Sequence, residues 1–267
     1  MPRSLRTAGL ALAAFLLLHG TGAAAPISVT MNDYTTSNGG NADLATAAPG
    51  GGGAFWAVTN DPVLGSLLTF CLEVNEHISY GSTYNFDGLQ ASATNGGAGG
   101  GNPDPVDNAS KWLYTVVATG LYSTSTYSSY FDFNGLTSGL GNVGSLAQMA
   151  IWAIEQETVG SYSLSNLLGG NTTAIGIVNS LVNRAMLAAS NGEWTTLQAT
   201  YNANVGAMNL YVPGTTNQMQ SQLAGTFRVP PPPPAVPEPA SLMLLGTGLV
   251  GLAAWRQRAR ARKSNAA

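Results

Sequence analysis

Side chains able to do chemistry are scarce in this chain. Its 267 residues contain one cysteine, Cys71, and two histidines, His19 and His77. A lone cysteine cannot close an internal disulfide, so Cys71 is free, paired between chains, or used chemically. It lies in Phe70-Cys71-Leu72-Glu73, within an apolar stretch that reads as a strand. A Cys71–His77 nucleophile–base pair is conceivable, but both sit on or beside one strand and no Asn or Asp can be assigned to orient the base. Glu73, Glu76 and His77 form a second candidate, for a metal, with a spacing that matches no strong ligand pattern. Asp104, Asp107 and Asp132 are loop carboxylates that could meet Ca²⁺, yet the periodic Asp-Gly loops of calcium motifs are absent. Gly246-Thr247-Gly248-Leu249-Val250-Gly251 spells G-x-G-x-x-G, but no strand-turn-helix frame surrounds it and no acidic residue follows. The expectation is no metal, no cofactor and no enzymatic activity.

Positioning these residues falls to short strands followed by helices. Ile27–Tyr34, Ala54–Thr59 and Leu67–Val74 carry strand patterning, and His77–Phe86 could form a hairpin turning at Gly81-Ser82. Helical periodicity begins at Asp107 or Asn108 and runs to about Leu121, then recurs over Val143–Glu157 and Thr172–Ser190, with Gly192 near a C-cap position. Between the first two helices lies a polar, aromatic loop, 122–142. Its Tyr122, Tyr127, Tyr130, Phe131 and Phe133 are candidates for sugar stacking and, more readily, for packing. Met208–Val212 and Gln222–Phe227 read as closing strands. This order predicts an α+β domain with antiparallel strands at both ends and a central group of about three helices.

The two ends of the chain are of another kind. Arg3 and Arg6, the apolar run Leu10–Leu18 and the small residues Ala23 to Ala25 form a secretory signal cleaved after Ala25 or a residue earlier. At the other end, Pro230–Pro234 is a polyproline spacer. Beyond it come Pro237-Glu238-Pro239, an uncharged apolar run, and the basic residues Arg256, Arg258, Arg260, Arg262 and Lys263. A helix over 240–255 would be about 24 Å long. That is slightly short of a hydrocarbon core of about 30 Å, a gap that snorkelling Arg and Lys side chains can close. The positive-inside rule puts the basic tail in the cytoplasm and everything before it on the far side of the membrane.

Charge narrows the function classes. Only 9% of residues are charged. Between Pro26 and Ala235 there are 12 acidic residues against Lys111, Arg184 and Arg228, a net charge of −9 (3 minus 12). Such a surface argues against nucleic acid, whose phosphates need clustered Lys and Arg.

The C-terminal sequence of motif, apolar helix and basic tail resembles the PEP-CTERM sorting signal of Gram-negative bacteria. That resemblance implies recognition by an exosortase at the inner membrane, cleavage near Pro237-Glu238-Pro239, and delivery to the outer surface or extracellular matrix. Two internal segments, Phe70-Cys71-Leu72-Glu73 and Ala147-Gln148-Met149-Ala150-Ile151-Trp152, together resemble the thioester domains of bacterial surface adhesins. By that resemblance Cys71 supplies the thiol and Gln148 the acyl group of an internal thioester. The chain departs from the family's Thr-Gln-x-Ala at Ala147. The plain alternative makes Cys71 a small buried strand residue and Gln148 a helix surface residue.

The resulting expectation divides the chain into a signal peptide (1–25), an exported α+β domain (26–228), a Pro-rich linker (229–236) and a sorting signal (237–267). The expected role is adhesive or structural in a biofilm or extracellular polysaccharide, with covalent attachment to a surface nucleophile through Cys71–Gln148. The alternative is a non-covalent carbohydrate-binding or matrix module.

Overall fold

The computed structural model describes residues 26–34, 44, 51–131, 136 and 142–228. The expected signal peptide (1–25), Pro-rich linker (229–236), and sorting signal (237–267) with the expected transmembrane helix over 240–255, and also Asp132 and Phe133, lie outside the described residues. Among the described residues no helix is long and apolar enough to cross a membrane.

Among the described residues, nine strands and five α-helices make an α+β architecture. Seven strands form one antiparallel sheet: β1 (Ile27–Asp33), β2 (Ala54–Thr59), β3 (Ser66–Cys71), β4 (Thr83–Phe86), β5 (Leu89–Gln90), β8 (Asn204–Met208) and β9 (Gln222–Thr226). Their order is β4-β1-β2-β3-β9-β8-β5, so strands from both ends of the domain meet where β3 pairs with β9. The outermost strands, β4 and β5, are separated in the chain by Asp87-Gly88 alone. The sheet must therefore curl into a half-barrel that brings its two edges together. Asn85 and Tyr211 stitch the seam, each donating its backbone N–H to the other's carbonyl at 2.9 Å. The bridge occupies edge groups of β4 that would otherwise be open to pairing with other chains. A small second sheet pairs β6 (Ser92–Ala93) with β7 (Asp104–Pro105).

The helices cover the sheet. Here α1 (Asn108–Ala118) lies against β8 and β9, α2 (Val143–Ile154) against β2 and β3, and α4 (Thr172–Ser190) packs on both helices. Two more helices, α3 (Leu164–Leu167) and α5 (Glu193–Tyr201), exceed the three expected. The helix α5 escaped notice because Gly192 reads as a stop signal. In the structure Gly192 adopts φ +73° as the N-cap of α5, so the left-handed residue turns one helix directly into the next. The expected hairpin over 77–86 does not form: β4 begins at Thr83 and pairs with β1 instead. Likewise β3 ends at Cys71 rather than Val74, and β8 ends at Met208, where a strand was expected to begin.

The core fills the space between sheet and helices. Tyr114 on α1 sets its hydroxyl on the Leu68 carbonyl of β3 (2.7 Å) and its ring edge-on to Phe70. Trp112 on the same helix is buried beneath the Arg184 guanidinium of α4, which lies 4.7 Å from its ring centroid. Arg184 also forks onto both oxygens of Glu193 (3.1 and 2.6 Å), tying α4 to α5, and Tyr127 and Tyr130 close around it. Tyr122 and Phe131 are buried and pack on each other. The aromatic loop is thus largely spent on packing and on caging Arg184, not on a sugar platform. Arg184→Met keeps the stem but loses the fork and the cation–π contact. We expect it to lower stability by about 1–3 kcal/mol, read as a shift in the denaturant midpoint at unchanged slope.

Candidate functional site

The sequence candidates converge on α2. This helix is almost wholly apolar: 11 of its 12 residues are buried. Asn142 starts it by accepting the Ser145 N–H at 2.8 Å. Among its buried residues is Gln148, fully enclosed with Cys71. Gln148 is therefore not the surface residue of the plain reading.

Its carboxamide reads the backbone of Cys71. Gln148 Nε2 donates to the Cys71 carbonyl at 2.8 Å, while Gln148 Oε1 accepts the Cys71 N–H at 2.8 Å and the Gly53 N–H at 3.2 Å. Ala54 on β2 is the partner of Phe70 on β3, so Gly53 and Cys71 stand just past the last registered pair. The Gln148 amide enters the ladder where the strands part. Two backbone N–H groups thereby converge on one side-chain carbonyl oxygen, an arrangement that draws electron density from its carbon.

The Cys71 thiol faces another pair of amides. Its Sγ–H donates to Gln220 Oε1 at 3.0 Å, and Gln222 Nε2 donates to Sγ at 3.6 Å. Gln220 Nε2 in turn donates to the Glu73 carbonyl, and Thr69 Oγ1 donates to Gln222 Oε1 at 3.1 Å. Burial pushes the thiol up to about 12, so Cys71 is a neutral thiol at physiological pH. Sequence reasoning passed over Gln220 and Gln222. The signal was present in Gln218-Met219-Gln220-Ser221-Gln222, where polar amides recur at a strand spacing beside a strand that must be buried.

Close approach demands small residues around Gln148. A Cβ on Gly52 would stand 2.5 Å from Trp152 and 2.9 Å from Gln148 Cγ, both in fully buried side chains with no room to yield. Gly52→Ala is expected to cost about 1–3 kcal/mol through this overpacking, measured by chemical unfolding.

Carboxylates gather at the same end of the sheet. Gln156 takes φ +64° just after α2, which turns both Glu155 and Glu157 inward. Glu157 Oε2 accepts from the N–H groups of Val74 (3.1 Å) and Ala98 (2.7 Å), and Oε1 from Gly99 and Gly100 (both 3.2 Å). The Gly-rich loop of 96–101 is thus a wrapping for a buried carboxylate: a Cβ on Gly97 would fall on the carboxylate itself. Glu155 accepts the Asp107 N–H at 3.2 Å, at the start of α1, and burial raises it to about 7. Asp107 occupies that helix's N-cap position, without a side-chain capping bond. Glu73 accepts the Ser221 N–H at 2.7 Å through Oε2, and burial lifts this group to about 8.

The other candidates are not brought together. His77 is exposed while Cys71 is fully buried, so they form no nucleophile–base pair. Glu73 is buried, Glu76 half-buried and bonded to Asn95, and His77 outside. Among the described residues no three His, Cys, Asp or Glu side chains are arranged to hold a metal. Asp104 accepts the Gly101 N–H, and the third loop carboxylate, Asp132, lies outside the described residues.

A family model describing the PEP-CTERM protein-sorting motif matches residues 235–259. The chain is therefore an exported protein carrying an exosortase sorting signal, read at the membrane. No curated protein and no solved structure matches the chain.

The raised Glu73 and Glu155 carboxyls set the sign of a pH effect. Between their ordinary value of 4.5 and their folded values, the folded chain holds protons that the unfolded chain has released. Their contribution is complete below about pH 4.5 and is lost as pH rises through about 7 and 8. Glu73→Gln mimics the protonated form and should flatten the fall in stability between pH 5 and 8.5, seen in thermal unfolding across that range.

Proposed function

We propose that this exported, exosortase-sorted protein serves at the outer surface or in the extracellular matrix, and that its domain attaches covalently through a Cys71–Gln148 thioester. The observation that carries this reading is the Gln148 carbonyl oxygen held between the Cys71 and Gly53 N–H groups, on the residue that bears the thiol. In the proposed reaction Cys71 Sγ turns from Gln220 toward Gln148 and attacks its Cδ. The carbonyl oxygen takes up negative charge between the two N–H groups. The C–N bond breaks, the thiol proton passes to the departing nitrogen, and ammonia leaves behind a thioester.

The thioester is an acyl donor. An amine or hydroxyl on a surface molecule or polysaccharide adds to the Gln148 carbon, the C–S bond breaks, and the nucleophile's proton returns to Cys71 sulfur. The product is an amide or ester on Gln148 with a regenerated thiol. Complete burial of both residues keeps water from the bond, and an acceptor reaches it through local opening at this end of the sheet. No turnover is involved, so the protein is a single-use acylating module rather than an enzyme.

Intact-mass measurement of the exported chain tests this reading. A formed thioester lowers the mass by about 17 Da through loss of ammonia and protects Cys71 from alkylation in denaturant. Cys71→Ala and Gln148→Ala should each show the full calculated mass, and peptide mapping should place the cross-link on Gln148 rather than on Gln220 or Gln222. Full mass in the parent chain with Cys71 alkylated would overturn it, leaving the Gln148 amide as a purely structural ladder cap.

A further inference from the structure

At the barrel seam, where β4 gives way to β5, the surface opens into a groove of about 680 Å³. Asp87, Gln90, Thr94, Asn102, Tyr211 and Gln218 line it. We propose that this groove is a binding site for a neutral polysaccharide chain.

The walls are built before any ligand arrives. The Tyr211 backbone is held in both directions by Asn85, and its hydroxyl donates to Asp87 Oδ1 at 2.9 Å, which fixes the ring. Asn209 pins the floor: its Nδ2 donates to the Ser92 carbonyl at 3.1 Å and its Oδ1 accepts the Thr94 N–H at 3.0 Å. Such fixed walls reduce the ordering that binding would otherwise require. The volume is that of ordinary small-molecule sites, which favour the mouths of β-barrels.

The lining selects the chemistry. It offers exposed carboxamides on Gln90, Asn102 and Gln218, a hydroxyl on Thr94, and one carboxylate, Asp87. Carboxamides and hydroxyls both donate and accept, as the hydroxyls of a sugar do. Tyr211 adds an aromatic face with a polar edge. Among the described residues that line it there is no Lys or Arg to meet a phosphate or uronate. Large apolar anchors, on which lipids and peptides depend, are also missing from it. A peptide could not add as a strand either, because the Asn85–Tyr211 bridge occupies the seam.

The segment that supplies Gln218 to the groove also supplies, two residues on, Gln220, which accepts from Cys71 Sγ. Binding here stands whether or not a thioester forms.

Isothermal titration of the full-length chain in detergent micelles, against neutral oligomers of glucose, galactose and mannose, tests the proposal. A polyuronate and an extended peptide serve as competitors. At least one neutral oligomer should bind. Asp87→Ala and Gln218→Ala, both at exposed positions, should weaken binding at least tenfold with unfolding midpoints preserved, and Tyr211→Ala should do so more strongly. Cys71→Ala should bind as the parent does, which separates this result from the fate of the acylation reading. Failure of every neutral oligomer to bind, preference for the polyuronate or the peptide, or affinity unchanged in both Asp87→Ala and Gln218→Ala would overturn it.

Discussion

The structure depends on burying one helix, α2. Eleven of its twelve residues are enclosed, which commits it to a position between the sheet and the other helices. A helix so placed has no wet face for a polar side chain, so Gln148 must find its partners inside. It finds them on the backbone, at the point where β2 and β3 separate. The same demand recurs one turn past the helix, where Glu157 is met by four backbone N–H groups, three of them from the glycine-rich loop. The local features of this end of the molecule follow from those two satisfied groups: the break in the ladder, the glycine at 52, the wrapped loop and the inward turn at Gln156.

A second constraint is the closure of the sheet. Joining its two outermost strands through Asp87-Gly88 forces the curl, and the curl brings the 209–218 segment against the start of β5. The groove at the seam is a consequence of that closure. So is the nearness of Gln218 in the groove to Gln220 and Gln222 at the thiol, since one hairpin carries all three.

Burial gives the site its electrostatic character. The thiol is neutral because desolvation opposes its charged form, and Glu73 and Glu155 hold protons near neutrality for the same reason. A neutral thiol, hydrogen-bonded to Gln220 and Gln222, differs from the thiolate of a cysteine hydrolase.

By itself the sequence determined the elements and the address. The period-2 and period-3.6 patterns located β1, β2, α1, α2 and α4, because each is long enough for periodicity to outweigh local propensity. The C-terminal order of Pro-Glu-Pro motif, apolar run and basic tail identified the sorting signal, because that information is linear and is read by another protein. Cys71 stood out as the one cysteine, and Gln148 through the resemblance of its segment to thioester domains. Tertiary structure alone decided the rest. It placed the Gln148 amide on the Cys71 backbone and the thiol on Gln220 and Gln222, since partners 77 and 149 residues apart are chosen by packing and register. It turned Gly192 from a stop into a start, because a left-handed glycine serves either role and only the neighbouring Trp194 and Leu197, buried in the core, decide which. It converted the aromatic loop into a cage for Arg184, and a low-complexity glycine stretch into the wrapping of Glu157. Composition records that these residues are small or aromatic; what they approach is set by the fold.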